Sequence, residues 1–330
     1  MENDIITLAD GSGGIQTDKL IKSIFSKYFS NEYLDENDDS TLVPGSKKIS
    51  VTTDSFVVDP FIFNGGDIGR LSICGTVNDL LMRGAVPKFL TAGFILETGL
   101  EKSKLERIVK SMAETAKEAN IEIIAGDTKV INGNGGLLIN TSGIGFIEHD
   151  LNISAKSAKI GDDVILSGNL GDHHAAILSH RLGIKNNIQS DNAPLNSIIL
   201  PLIENEIEIH TMRDVTRGGL ATILNELAAS CGNNIIVNEG DLPVSEDTAN
   251  FAKILGLSPL YMGNEGKAVI IIPKSQSQKA LEIIKQSKYG KNATIIGKIA
   301  EGNGRFVLNT KIGGSRFPSP LVGEGLPRIC

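Results

Sequence analysis

Short apolar runs rich in β-branched residues recur along this chain, each closed by glycine, asparagine or aspartate. KKISVTTD, FLTAGFIL, IEIIAGD, GLLINTSGIGFI, DDVILSG, NNIIVNEG, KAVIIIP and ATIIGKIA read as strands. Between them, apolar residues at three- and four-residue spacing predict helices in DIGRLSICGTVNDLLMRG, LEKSKLERIVKSMAETAKEAN, GGLATILNELAASC and SQKALEIIKQSK. The two kinds of segment are mixed rather than strictly alternating, which favours an α+β fold over a doubly wound parallel sheet. The pattern breaks into polar residues at HDLNISAKSAKIGDD and then restarts with a strand. Two domains are therefore expected, residues 1–152 and 153–314. The last stretch, GGSRFPSPLVGEGLPRIC, has no periodicity, three prolines and four glycines, and 315–330 reads as a flexible tail.

Composition narrows the class. With 330 residues, 41% of them hydrophobic, the chain can bury two ordinary cores. No apolar run approaches the eighteen or so residues of a membrane span, and the acidic start MENDIITLAD lacks the basic and apolar regions of a signal peptide. A net charge of −7 and the absence of Trp argue against nucleic-acid binding, which relies on basic surface and stacking platforms. A cytoplasmic protein with neither nucleic acid nor membrane as partner is the expectation.

The cysteines, Cys74, Cys231 and Cys330, are odd in number, widely spaced and without a CxxC, so neither a disulfide framework nor a zinc site is suggested. Cys74 sits in an apolar stretch and reads as a buried, inert thiol. Cys231 precedes Gly232 at the predicted end of a helix. Cys330 is the last residue. Prenylation is not expected there, because that motif needs three residues after the cysteine.

The common phosphate-binding motifs are missing. Instead, acidic residues stand just beyond apolar runs: Asp54 after ISVTT, Asp79 in TVNDLLMRGA, Asp127 after IEIIAG, and Asp214 in IHTMRDVTRGGL. Carboxylates in such turns suit hard cations with oxygen ligands, and each alone would also serve as a turn or helix-cap aspartate. Near the start, Gly11, Ser12, Gly13 and Gly14 join a small-residue loop to an amphipathic helix, a setting for an anion at a helix N-terminus. Glycine–acid pairs recur at Gly171–Asp172 and around Glu265 in MGNEGKAVI, the latter reading as an exposed, glycine-flanked carboxylate. His173 and His174 are adjacent, so on a helix they point apart and do not suggest a metal site.

Taken together, GSGG, TTDS, GGDIGRL, CGTVNDLLMRGA, AGDTKV, GDHHAAIL, MRDVTRGGLAT, NEGK and the terminal LPRIC resemble the HypE family of hydrogenase maturation carbamoyl dehydratases, from about residue 7 to 330. The wider fold family contains aminoimidazole ribonucleotide synthetase, thiamine-monophosphate kinase and selenophosphate synthetase. The resemblance implies that fold, with ATP and Mg2+ as cofactors and Asp54, Asp79, Asp127 and Asp214 around the metal. It implies nucleotide contacts from Gly11, Ser12, Gly13, Gly14, Asn78, Gly126, Asp172 and Arg213. It further implies that Cys330 carries the reacting carbamoyl group, with Glu265 as base and Lys129 as a charge-stabilising group. A homodimer, a carbamoyltransferase of the HypF kind and a HypC–HypD iron scaffold are the implied partners, and cyanide for the iron of [NiFe]-hydrogenase the implied product. The family's AHGSGG pattern is broken at Asp10, where histidine is expected.

Overall fold

The structure, a computed structural model, describes residues 5–12, 14–35, 40–149 and 151–321. Gly13, Pro327 and Cys330 lie outside the described residues.

The chain opens with a 3-10 turn, Leu8–Gly11, closed by Asp10, whose carboxylate accepts the backbone N–H and the hydroxyl of Thr7, both at 2.8 Å. Lys102 stands 3.4 Å from the other oxygen. Asp10 is buried; burial works to raise its pKa, but the Thr7 bonds and Lys102 outweigh it and hold the carboxyl below its usual value. The position where histidine was expected is thus a turn-closing acid. Helix α1 (Gly14–Leu20) runs through a π turn, Ile21–Phe25, into α2 (Ser26–Phe29), and α3 (Glu32–Asp35) follows.

Strand β1 (Ile49–Phe56) leads through the two-residue strands β2 (Ile62–Phe63) and β3 (Gly66–Asp67) into helix α4 (Ile68–Met82). Then come β4 (Val86–Glu97), helix α5 (Lys102–Glu118), β5 (Glu122–Ile131) and β6 (Leu137–Phe146). The sheet order is β1-β6-β4-β5, with only β4 and β5 parallel, as an α+β fold requires. Helix α5 is amphipathic, burying Leu105, Ile108, Val109, Met112 and Ala116 along one stripe. Helix α4 is buried nearly all round, which is why its apolar residues follow no single stripe. These helices cover one face of the sheet. The other face is open, with Ile49, Val51, Ile95 and Ile131 exposed.

After a connector anchored at Ser154 N–H to His210 O, the second half runs β7 (Asp162–Leu166), α6 (Asp172–Arg181), α7 (Asn196–Glu204), β8 (Thr211–Asp214) and α8 (Gly219–Cys231). It continues through β9 (Asn234–Asn238), α9 (Glu246–Leu255), β10 (Ala268–Pro273), α10 (Lys274–Gln286), β11 (Thr294–Ala300), β12 (Phe306–Asn309) and β13 (Ser315–Arg316). The sheet order is β13-β12-β9-β11-β7-β10-β8. One apolar core joins the halves, since Leu71, Val77 and Leu81 of α4 pack in the same cluster as Ile198 and Leu202 of α7 and Ile284 of α10. The 152/153 boundary expected from sequence falls in the connector between β6 and β7.

Two features differ from the sequence reading. Residues 315–321 do not leave the surface: Gly313 and Gly314, at φ +90° and +83°, form a turn that pairs β13 with β12. Beyond it Asn225 donates to Pro318 O (2.8 Å), Tyr261 to Ser319 O (3.0 Å), and Thr222 Oγ1 accepts the Leu321 N–H (3.4 Å). Asn78, read as a nucleotide contact, is buried and committed elsewhere. Its amide donates to Ala193 O (3.1 Å) and accepts from Leu195 N–H (2.9 Å), tying α4 to the segment that enters α7.

Removing that amide strands a buried carbonyl and a buried N–H, a loss of about 2–4 kcal/mol. Asn78→Ala should therefore lower the unfolding midpoint by several degrees in calorimetry, whereas an unchanged midpoint would show that the tie contributes nothing.

Candidate active site

Three of the four predicted metal aspartates converge where α4, β1 and β8 meet. Asp54 lies on the inner face of β1 and accepts from Thr76 Oγ1 of α4 at 2.9 Å; Asp79 of α4 accepts from Thr52 Oγ1 of β1 at 2.9 Å. Asp214 ends β8, with Arg213 beside it. All three carboxyls are pushed up. For Asp54 the causes are burial and then Asp79; for Asp79 burial leads, against the pull of Thr52 and Arg213. Asp214 is raised to about 7 by burial, then by Asp79 and Asp54, with Arg213 opposing. Asp79, Arg213 and Asp214 line a cavity of about 430 Å³ together with Arg83 and Ser154. Arg213 is half-exposed and paired with Glu226 at 3.2 Å.

Asp127 does not join them. It sits on β5, separated from β1 by β6 and β4, and the register Asp54↔Thr141, Ala92↔Thr141 and Ala92↔Gly126 places Gly126, not Asp127, on the inner face. Side chains alternate along a strand, so Asp127 points to the open face, where it pairs with the equally exposed Lys129 at 3.1 Å. The expected four-aspartate cluster is thus split within one chain. Gly11 belongs to the Asp127 side. A Cβ on it would stand 2.5 Å from Val130 of β5, so only glycine lets the loop lie there. Ser12 folds back onto Ala9 O, and Gly14 opens α1. Gly126 and Asp127 also line a cavity of about 350 Å³ beneath the N-terminal helices, with Thr17, Phe25, Tyr33 and Thr41.

Glu265 is buried, 3% exposed, and not the exposed carboxylate expected. Its neighbour explains the error. Gly266 is required because a Cβ there would meet Asp191 O at 2.0 Å, so this glycine marks close backbone packing rather than a surface turn. Asp172, at the start of α6, accepts from Ser245 Oγ (2.9 Å) and Thr248 Oγ1 (2.6 Å) of the α9 N-terminus, a tie between helices. Lys129 lies on β5, and Glu265 lies in the turn before β10. Cys74 is fully buried, its thiol pushed well up by burial, and Cys231 sits before a left-handed Gly232, so both fit the structural reading. The sequence offered no signal for Arg217, which acts on Asp54 through its charge, or for Asp191 in the loop before α7.

Among the described residues, no three His, Cys, Asp or Glu side chains form a ready-made metal cage. The Asp54–Asp79–Asp214 set instead suits Mg2+ bound by one or two carboxylates together with phosphate oxygens and water. Nor is any described helix long and apolar enough to cross a membrane.

Comparison with known proteins places this arrangement in a class. Residues 37–147 match the AIR synthase related protein N-terminal domain and residues 159–309 the corresponding C-terminal domain. The chain belongs to the HypE family, the carbamoyl dehydratases of hydrogenase maturation. It is 42% identical to carbamoyl dehydratase HypE of Azotobacter vinelandii, over 100% of this chain and 98% of that one. A crystal structure of the hydrogenase maturation protein HypE in complex with ATP superposes with a TM-score of 0.94 at 41% identity, covering 98% of this chain and 99% of the other. A crystal structure of a HypE–HypF complex gives 0.80 at 45% identity, covering 92% and 99%.

The raised carboxyls make a signed prediction. A carboxyl whose folded pKa is raised stabilises the folded chain fully below the unfolded value of 3.8, and that contribution is lost as pH rises through about 7 for Asp214. Without divalent cation, stability should fall between about pH 4 and 7, and Asp214→Asn should flatten the decline. Added Mg2+ should stabilise more strongly as pH rises over the same range, since the cation competes with the proton. A pH-independent Mg2+ effect in thermal melts would contradict this.

Proposed function

We propose that this chain binds ATP with Mg2+ and dehydrates an S-carbamoyl group on Cys330 to a thiocyanate. The observation that carries the metal and nucleotide reading is the crowding of Asp54, Asp79 and Asp214, whose carboxyls are raised first by burial and, for Asp54 and Asp214, also by acidic neighbours, a setting that a cation would relieve. Family membership and the terminal PRIC sequence support the rest. The ATP complex and the HypF complex are properties of relatives, carried here to this chain as proposals.

The chemistry balances as follows. A HypF-type carbamoyltransferase leaves S–C(=O)–NH2 on Cys330. The carbamoyl oxygen attacks the γ-phosphate of ATP, releasing ADP, and one N–H proton leaves. Glu265, held away from bulk water, takes the second N–H proton as the C–O bond breaks, giving S–C≡N and phosphate. Bound Mg2+ would neutralise triphosphate charge beside the aspartates. The thiocyanate then supplies cyanide to a HypC–HypD iron scaffold.

The two half-sites need a second copy. The open face of the first sheet carries Ile49, Val51, Ile95 and Ile131 beside Asp127 and Lys129. In our reading two copies pair through this face about a two-fold along the strands, which lays β1 of one over β5 of the other. Asp127 and Lys129 then stand at the partner's β1 edge, and a triphosphate passing around that edge would span from them to the partner's Asp54, Asp79 and Asp214 on its inner side. The docking of residues 315–321 shortens the tail's free length. Nine residues follow Leu321, spanning at most about 30 Å, against about 50 Å had the swing begun at Ser315.

Intact-mass analysis of the C-terminal peptide tests the reading. Carbamoylation should add about 43 Da at Cys330, and ATP should then remove about 18 Da, the mass of one water. Cys330→Ala should accept nothing. Asp79→Asn should carry the adduct without hydrolysing ATP. Glu265→Gln should bind ATP and carry the adduct without losing water, with a rate lower by about 10²–10⁴-fold. An adduct on Cys74 or Cys231, or normal dehydration by Glu265→Gln, would overturn the assignment.

A further inference from the structure

A buried ion pair stands behind the Glu265 turn. Asp191 Oδ1 accepts the backbone N–H of Glu265 at 2.9 Å, and Ala193 N–H donates to Glu265 O at 3.2 Å. Asp191 Oδ2 lies 3.2 Å from Lys267 Nζ, with side chains only 4% and 8% exposed. That contact is an ion pair without hydrogen-bond alignment, and Lys267 Nζ also donates to Gly266 O at 3.0 Å. The turn is pinned on its other side too, where Asn264 accepts from Gly171 N–H (2.7 Å) and donates to Val215 O (3.0 Å). Burying two charges is costly, and an apolar pair of the same volume is often as stable, so stability alone gives this pair no purpose.

We propose that Asp191 and Lys267 are positioning residues for the dehydration step, fixing the backbone of the Glu265 turn and balancing the charge beside its carboxylate. The proposal rests on the reading of Glu265 as base. Asp191 holds the N–H of the very residue that must take the proton, and a displacement of about 1 Å at such a group can cost about 10²-fold in rate. Lys267 offsets Asp191, so Glu265 does not share its pocket with an uncompensated second carboxylate. Other charged and titratable groups nearby are Asp172 of α6, which feels the charges of Asp191 and Lys267, and Cys74 of α4, which feels Glu265 and Asp191 together with Arg70 of the same helix and Glu118 of α5. Arg70 is engaged with Glu118 at 2.9 Å, which leaves Lys267 as the cation matched to Asp191.

The test follows dehydration of the carbamoylated full-length chain against pH in single turnover, beside ATP affinity and the unfolding midpoint. Asp191→Asn keeps an acceptor for the Glu265 N–H but removes the charge. Lys267 is then uncompensated, and the limb of the pH–rate profile assigned to the base should move to lower pH. Asp191→Ala should also lower the dehydration rate by about 10²-fold while the adduct accumulates and ATP affinity stays within about twofold. An Asp191→Asn profile that overlays wild type, or ATP binding and dehydration falling together with the midpoint, would overturn the proposal. If Asp191→Ala does not fold, the Asp191→Asn profile decides alone. Should Glu265→Gln dehydrate normally, it is the base assignment that fails; Glu265→Gln inactive with Asp191→Asn unaltered defeats only the positioning pair.

Discussion

Helix α4 is a largely apolar helix that carries several polar side chains into a buried place, and the molecule is arranged around supplying their partners. Buried polar groups that lack partners are expensive, and apart from Ser72, which bonds Gly69 O within the helix, these side chains draw other elements against α4. Asp67 caps its first turn through the Arg70 N–H. Arg70 reaches Asn192 O, Glu118 and the hydroxyl of Tyr289, Thr76 donates to Asp54, and Asn78 holds the loop entering α7. In this way one helix fastens the first sheet to the second half of the chain. The exception is Asp79. It gains a single hydroxyl from Thr52 and two acidic neighbours, leaving a deficit that protein groups do not cancel. The place where α4 is least satisfied is the place where a cation is proposed.

How much of this the residues disclosed depended on local signals. The eight apolar runs read as strands all carry strands, because β-branched runs bounded by turn residues have little else to do. β8 escaped notice: it spans four residues, ends at Asp214 and reads as a polar cluster. Helix α7 carries Pro201, which masks its period, and β12 and β13 are short. Within the site, Asn78 and Asp79 are adjacent in sequence yet point about 100° apart on a helix. One faces the inter-domain loop and the other the carboxylate cluster, a division that only the packing around α4 decides. Asp127 fell out of the cluster through strand alternation, a rule visible in sequence once the register of β5 is known. Glu265 was misjudged because glycine is required both in exposed turns and where backbones touch.

The two halves of the nucleotide reading therefore lie on different sides of one sheet. Asp54, Asp79 and Asp214 gather at the β1 edge, under the helices. Asp127, Lys129 and the glycine loop gather at the β5 edge, with the two acidic and basic side chains on the open face. The proposed face-to-face pairing would bury the exposed Ile49, Val51, Ile95 and Ile131 and bring the two halves of the site to one edge in the same step, so the dimer and the active centre are a single proposition. The docked residues 315–321 add a further constraint. They start the last nine residues beside the first turn of α8, five residues beyond Asp214.

Complementation between two inactive variants tests that proposition most directly. Asp79→Asn and Lys129→Ala are each prepared, then mixed, dissociated and reassociated, and ATP-dependent dehydration is measured. If every site combines Asp79 of one copy with Lys129 of the other, half the dimers are mixed and each keeps one intact site of two. Activity should then return to about a quarter of wild type. If both residues serve the same site from one chain, every site in the mixture carries a lesion, and the absence of any recovery would contradict the account.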